Sequence, residues 1–216
     1  MKHLLLSASL LLCSSPLLHA QDDPKSRAII DKMIAKNKTW TSFEADFTSR
    51  MQDKAAKLDV SQSGTVKVKG KKFTLVLDKN IVINDGTTLY TYSKESNEVS
   101  LSDPSDMAQD LDPSNLMSAY EKGYKSQFVE EKTDASGVVV QVIKLFPIEP
   151  GKKPFHTVVI TLDKAKLEPR VVEVLYKDGN VVTYTLKRLV PNVELADALF
   201  QFDKSKYPGV EINDLR

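Results

Sequence analysis

Hydrolysis by a serine–histidine–acid relay needs an imidazole base, and the chain offers three histidines: His3, His19 and His156. The first two lie in a stretch that reads as a removable leader. His156 stands in Phe155-His156-Thr157-Val158, an alternating run that predicts a β-strand, and no Gly-x-Ser-x-Gly elbow accompanies it. A structural or exposed strand histidine is the better account. Gly64 to Lys72 approaches a phosphate loop, but the gap before Gly70-Lys71 is one residue too long. Lys72 also stands where Ser or Thr would hold magnesium. A lysine-lined hairpin explains that stretch. Asp85-Gly86 and Asp178-Gly179 lack the alternating oxygen ligands of a calcium loop and read as turns. Asn37-Lys38-Thr39 fits a glycosylation sequon, a match that arises cheaply by chance. Carboxylate pairs for glycoside chemistry leave no local spacing, and nothing favours them. The single cysteine, Cys13, lies in the leader too, so disulfides, cysteine nucleophiles and Cys/His zinc sites are excluded downstream of it by counting. No metal or cofactor is expected. With 30 Lys+Arg against 29 Asp+Glu, the chain also lacks the basic excess of a nucleic-acid binder.

What remains is pattern. Met1-Lys2 and the apolar run from Leu4 to Leu18 form an export signal too short to span a membrane, with cleavage expected after Ala20. Leu12 before Cys13 makes a poor lipidation site, so residues 1–20 read as a signal peptide and 21–216 as one soluble exported domain. A helix begins at Asp22 or Asp23 with Pro24 in its first turn, placing Ile29, Ile30, Met33 and Ile34 on one face. The period then changes from helical to alternating. Runs around Phe43–Phe47, Leu58–Val68, Phe73–Leu77, Ile81–Ile83, Leu89–Tyr92 and Val99–Leu101 predict strands, with a hairpin turn at Asn84-Asp85-Gly86. Asp103-Pro104 and Asp112-Pro113 open two short helices carrying Met107, Leu111, Leu116, Met117 and Tyr120. Strands resume from Tyr124 to Leu189, and a last short helix is expected over Val193–Leu199. The reading is mainly β with α: about ten strands in one antiparallel sheet, too many to cover flat and so curved toward a barrel, with helices on one face.

Several separated segments carry a resemblance. They are Phe43-Glu44-Ala45-Asp46-Phe47-Thr48, Gly64-Thr65-Val66-Lys67-Val68 leading into Phe73, the hairpin Asn84 to Tyr92, Phe200-Gln201-Phe202, and Tyr207-Pro208-Gly209-Val210-Glu211-Ile212-Asn213-Asp214. Together they resemble the periplasmic outer-membrane lipoprotein carrier proteins of the LolA type. The resemblance implies an unclosed half β-barrel with a helical lid over its mouth, and a cavity that takes the acyl chains of a lipoprotein. It implies a monomeric periplasmic chaperone without enzymatic activity. Such a chaperone receives lipoproteins from an inner-membrane ATP-driven release complex and passes them to an outer-membrane receptor. The poor lipidation site at Cys13 favours carrier over receptor. One departure stands out: the family's Arg-Pro pair after the second strand is replaced by Lys69-Gly70-Lys71-Lys72, and lysine lacks the fork of donors that holds a lid shut.

Within that framework the apolar side of the sheet supplies the cavity wall through Phe47, Phe73, Leu75, Leu89, Val158, Ile160, Val172, Val174 and Tyr184. Val82 joins them by its match to a cavity-lining hairpin position of the family. Leu116, Met117 and Tyr120 supply the lid face, where a flexible thioether adapts to chains of different shape. Each of these residues taken singly also fits an ordinary core. A lipocalin-like carrier of a free small lipid would use the same cavity. A carboxylate hydrolase of the envelope would need acids inside, whereas the alternation turns Glu44, Asp46 and Glu173 outward.

Overall fold

The structure is a computed structural model, and it describes residues 22–107, 112–114 and 120–216. The expected leader, Leu111, and the lid residues Leu116 and Met117 lie outside the described residues. No described helix is long and apolar enough to cross a membrane.

Helix α1 (Pro24–Asn37) starts where its caps require. The Asp23 side chain accepts the Lys25 N–H, and Pro24 fills the first turn, where its missing N–H costs nothing. Its buried face carries Ile30, Met33 and Ile34. Twelve strands follow among the described residues: β1 (Ser42–Asp53), β2 (Leu58–Lys69), β3 (Lys72–Leu77), β4 (Asn80–Asn84), β5 (Leu89–Ser93), β6 (Glu98–Ser102), β7 (Tyr124–Thr133), β8 (Val139–Pro147), β9 (Phe155–Asp163), β10 (Glu168–Tyr176), β11 (Val181–Pro191) and β12 (Glu211–Asp214). They form one sheet in the order β12-β6-β5-β4-β3-β2-β1-β11-β10-β9-β8-β7. Two meanders, β1–β6 and β7–β11, join along the β1–β11 seam. The outermost strands β12 and β7 do not pair, so the barrel is unclosed, as expected.

Two features differ from the expectation of about ten antiparallel strands. β12 pairs with β6 in parallel. Its four residues are all exposed, so no buried face fixes it. Two of the expected short helices are also reduced, and the one expected after Asp112-Pro113 lies largely outside the described residues. Asp103 caps only a single 3₁₀ turn, Pro104–Asp106, through a reciprocal bond with Asp106. The Val193–Leu199 helix is replaced by an extended segment ending in a 3₁₀ turn at Asp197–Phe200. Carbonyls that a helix there would use internally are taken instead. Ser42 Oγ donates to Val193 O at 2.6 Å and Lys69 Nζ to Leu195 O at 3.0 Å.

The apolar residues fall into three clusters. α1 packs on β7–β10 through Ile30, Met33, Ile34, Ile143, Leu145, Val158, Ile160 and Val172. Phe43, Ala45, Val66, Val68, Phe73 and Leu89 form a second group on β1, β2, β3 and β5. Alternation places Tyr90 and Tyr92 on the other face from Leu89, where Phe202, Tyr207 and Val210 of the chain's end cover them.

Four bulges, at Lys187, Arg170, His156 and Val129, interrupt the alternation and set which side chains share a face. Asp46 pairs with Arg188 but Phe47 with Leu186, leaving Lys187 as an extra residue on β11. Leu189 and Leu186 therefore both join the face of Ala45 and Phe47. On β9, Thr157 pairs with Leu175 and Phe155 with Tyr176, so His156 is the extra residue.

Candidate functional site: an apolar cavity under the helix

A hollow lies against the concave face of the sheet. Its wall runs from Leu75 on β3 through Val66 on β2 and Ala45 and Phe47 on β1. It continues along Tyr184 and Leu186 on β11, Val172 and Val174 on β10 and Val158 and Ile160 on β9, and ends at Tyr124 on β7. β3 and β7 are eight strands apart by inclusive count. At about 4.8 Å per strand, a flat sheet would separate them by roughly 34 Å. One space touching both requires the sheet to curl. Met33 of α1, Pro113 and Tyr120 contribute from the covering side. The unfilled space, including its open mouth, is about 1320 Å³.

The chemistry of the lining is uniform. Among the described residues every lining residue is aliphatic, aromatic, Met or Pro, and the only polar side-chain atoms are the hydroxyls of Tyr120, Tyr124, Tyr176 and Tyr184. Burial, reinforced by the neighbouring Tyr176, pushes the Tyr184 hydroxyl above its ordinary value, so it stays neutral at any physiological pH. The aromatic rings meet edge-on or tilted. Tyr120 and Tyr124 are 5.6 Å apart at 72°, and Phe155 and Tyr176 are 6.2 Å apart at 79°. Such a surface offers dispersion contact and exclusion of water without directional anchors.

The acids lie elsewhere. Glu44 and Asp46 occupy the opposite face of β1, where Arg188 Nη1 reaches Glu44 at 2.5 Å and Asp46 at 3.4 Å. Thr65 Oγ1 donates to Asp46 at 2.9 Å. His156 is exposed at its bulge, with Nδ1 2.8 Å from Thr157 Oγ1. Among the described residues no group of three His, Cys, Asp or Glu could hold a metal ion. Asn37 of the sequon match is buried at the end of α1, out of reach of a glycan.

Of the residues singled out in the sequence, Phe47, Leu75, Val158, Ile160, Val172, Val174, Tyr184 and Tyr120 line this hollow. Phe73 and Leu89 are buried in the second apolar cluster and Val82 packs against it; these three are not among the lining residues. Phe43, Ala45 and Val66 also line it and follow alternations visible in the sequence. Leu186 follows by alternation from Tyr184, whereas Phe155 was hidden by the bulge at His156, which reverses the count along β9. The lysines replacing the Arg-Pro pair turn toward the chain's last third. Lys69 Nζ lies 3.0 Å from both Leu195 O and Asp197 Oδ1, and Lys72 Nζ lies 3.9 Å from the same carboxylate.

The fold has solved counterparts. An uncharacterized conserved protein from Thermus thermophilus superposes with a TM-score of 0.57 at 11% identity, covering 88% of this chain and 99% of its own. LprF from Mycobacterium bovis gives 0.49 at 12% identity over 82% and 97%. A putative outer membrane lipoprotein-sorting protein domain from Vibrio parahaemolyticus gives 0.46 at 15% identity over 82% and 96%. Comparison with curated proteins finds no match. The sequence profile of the outer membrane lipoprotein carrier protein LolA matches residues 38–203, most of the chain and every strand that lines the hollow. The chain therefore belongs to the LolA family, a family of carriers rather than of catalysts.

Proposed function

We propose that the protein is a periplasmic chaperone that shelters the acyl chains of lipoproteins and carries them from the inner to the outer membrane. A diacyl or triacyl anchor holds roughly thirty to forty-five methylenes, and at about 0.8 kcal/mol each their exposure costs on the order of 25–35 kcal/mol. A carrier must offset most of that and still release its load. A wholly apolar, non-directional wall does both: it shields strongly without any bond that must be broken at a fixed point.

The observation that carries this reading is the lining itself, apolar throughout its described residues apart from four tyrosine hydroxyls, in a member of a lipoprotein-carrier family. The partners that follow are acylated lipoproteins, an inner-membrane ATP-driven release complex and an outer-membrane receptor. Mass spectrometry of protein purified from the periplasm with its cargo tests the reading. An acylated peptide supports it, and a free lipid alone would replace it with a small-lipid carrier. Depletion of the protein is expected to leave lipoproteins at the inner membrane, and their normal distribution would overturn the transport role.

A further inference from the structure

Gly64 of β2 stands directly opposite Phe47 of β1 across the strand ladder. Its backbone is not in the left-handed region, so the conformation does not demand glycine there. The space does. A Cβ on residue 64 would lie 2.6 Å from Cζ and 2.9 Å from Cε1 of Phe47, and 2.9 Å from Cδ2 of Leu77. The Phe47 ring is therefore laid down across the glycine, in the room where a side chain would otherwise stand. Its outer side contributes to the hollow, 6.3 Å from the Tyr184 ring.

Phe47 is also the last β1 residue of the wall. Beyond it the same face runs through the polar pair Ser49 and Gln62 to Met51 and its cross-strand partner Val60, which are 38% and 44% exposed. The ring thus lies at the boundary between the apolar hollow and an open lip that begins with Ser49 and Gln62. A chain that leaves the hollow along β1 passes over it. A side chain at position 64 would lift the ring into that path.

We propose that Gly64 is a positioning residue that sets the length of acyl chain the cavity accepts, by seating Phe47 flat against β2. This rests on the carrier reading above.

The test is binding of synthetic lipopeptides carrying dodecanoyl, tetradecanoyl, hexadecanoyl or octadecanoyl chains to the purified mature protein. Wild type is expected to bind all four. Gly64→Val should weaken the octadecanoyl peptide by about tenfold relative to the dodecanoyl one. Gly64→Ala should shift in the same direction by less, and it carries the test if the valine variant does not fold. Phe47→Ala added to Gly64→Val should restore the long chains. An unchanged length profile in both glycine variants, a loss equal at all lengths, or failure of the double variant to restore long chains would overturn the proposal alone. Failure of wild type to bind any of the four would overturn the carrier reading with it.

Discussion

Asp23 donates its backbone N–H to the carbonyl of Ser126 at 3.0 Å, so the residue that caps α1 also closes the outer edge of β7. Its carboxylate accepts the Phe128 N–H at 2.8 Å. Asp22 Oδ1 takes both the N–H and the hydroxyl of Ser126 at 2.7 Å, and Ser26 Oγ donates to Ser126 Oγ at 2.8 Å. Two acids and a serine thus stand where a thirteenth strand would pair. They blunt an edge that would otherwise template aggregation, and they pin one end of the helix that covers the cavity.

Replacing Asp23 by alanine removes the cap and the clamp together. The expected outcome is faster amide hydrogen exchange through α1 and at Phe128, with β9 and β10 unchanged. Unaltered protection of α1 would show that the apolar contacts of Ile30, Met33 and Ile34 hold the helix alone.

The same contact carries a pH dependence. The Phe128 N–H, first among several donors, lowers the Asp23 carboxyl below its ordinary value of 3.8. A depressed carboxylate contributes stability that is complete above the ordinary value and is lost as pH falls through the lower folded one. Protection factors at Phe128 should therefore hold from neutrality down to about pH 4 and decline only in more acid solution. A decline already complete well above that value would contradict the assignment.

The cavity wall separates into residues that hold the fold and residues that meet a ligand. Ile160 is 1% exposed within the cluster under α1, so Ile160→Ala should cost about 2–5 kcal/mol in denaturant unfolding while lipopeptide binding persists. Leu75 is half-buried at the β3 end of the wall. Leu75→Glu should leave the circular dichroism spectrum intact and abolish capture of acylated peptide in a pull-down. Normal capture would remove that part of the wall from the binding surface.

Lys69 ties the 193–200 segment to β2 through Leu195 and Asp197. Its side chain is 42% exposed, so the ion pair is worth little. Lys69→Met is expected to reduce stability by less than about 1 kcal/mol and to leave binding and release of acylated peptide unchanged. Altered release would give this lysine the lid-holding role of the family's arginine.

Tyr207 lies beyond the segment matched by the family profile, yet its ring stacks on Phe202 at 4.9 Å and 5° and meets Tyr92 at 4.3 Å. Tyr207→Ala should cost about 1–3 kcal/mol through the loss of two aromatic contacts and their burial. Exchange at the β6–β12 pair should rise with it. A stability equal to wild type would mean that β12 docks independently of this stack.

Local chemistry made much of the molecule legible in the sequence. Asp23-Pro24 determined where α1 starts, because a cap and a missing N–H act within one turn. Asn84-Asp85-Gly86 determined the β4–β5 hairpin: Gly86 takes φ +96° and the Asp85 carboxylate receives the N–H groups of Thr87 and Thr88. Strict alternation placed Phe47, Leu75, Val158, Ile160, Val172 and Tyr184 on one face, since side chains in a strand have only two directions. Tertiary structure decided the rest. A single extra residue at His156 reverses that alternation along β9, and only the partner strand's register reveals it, so Phe155 entered the cavity unannounced. The parallel docking of β12 depends on β6, more than a hundred residues away, and on no pattern of its own. Whether an apolar side chain becomes filled core, as Phe73 did, or open wall, as Leu75 did, is set by how far the sheet curls, a property of all its strands together and of no single segment.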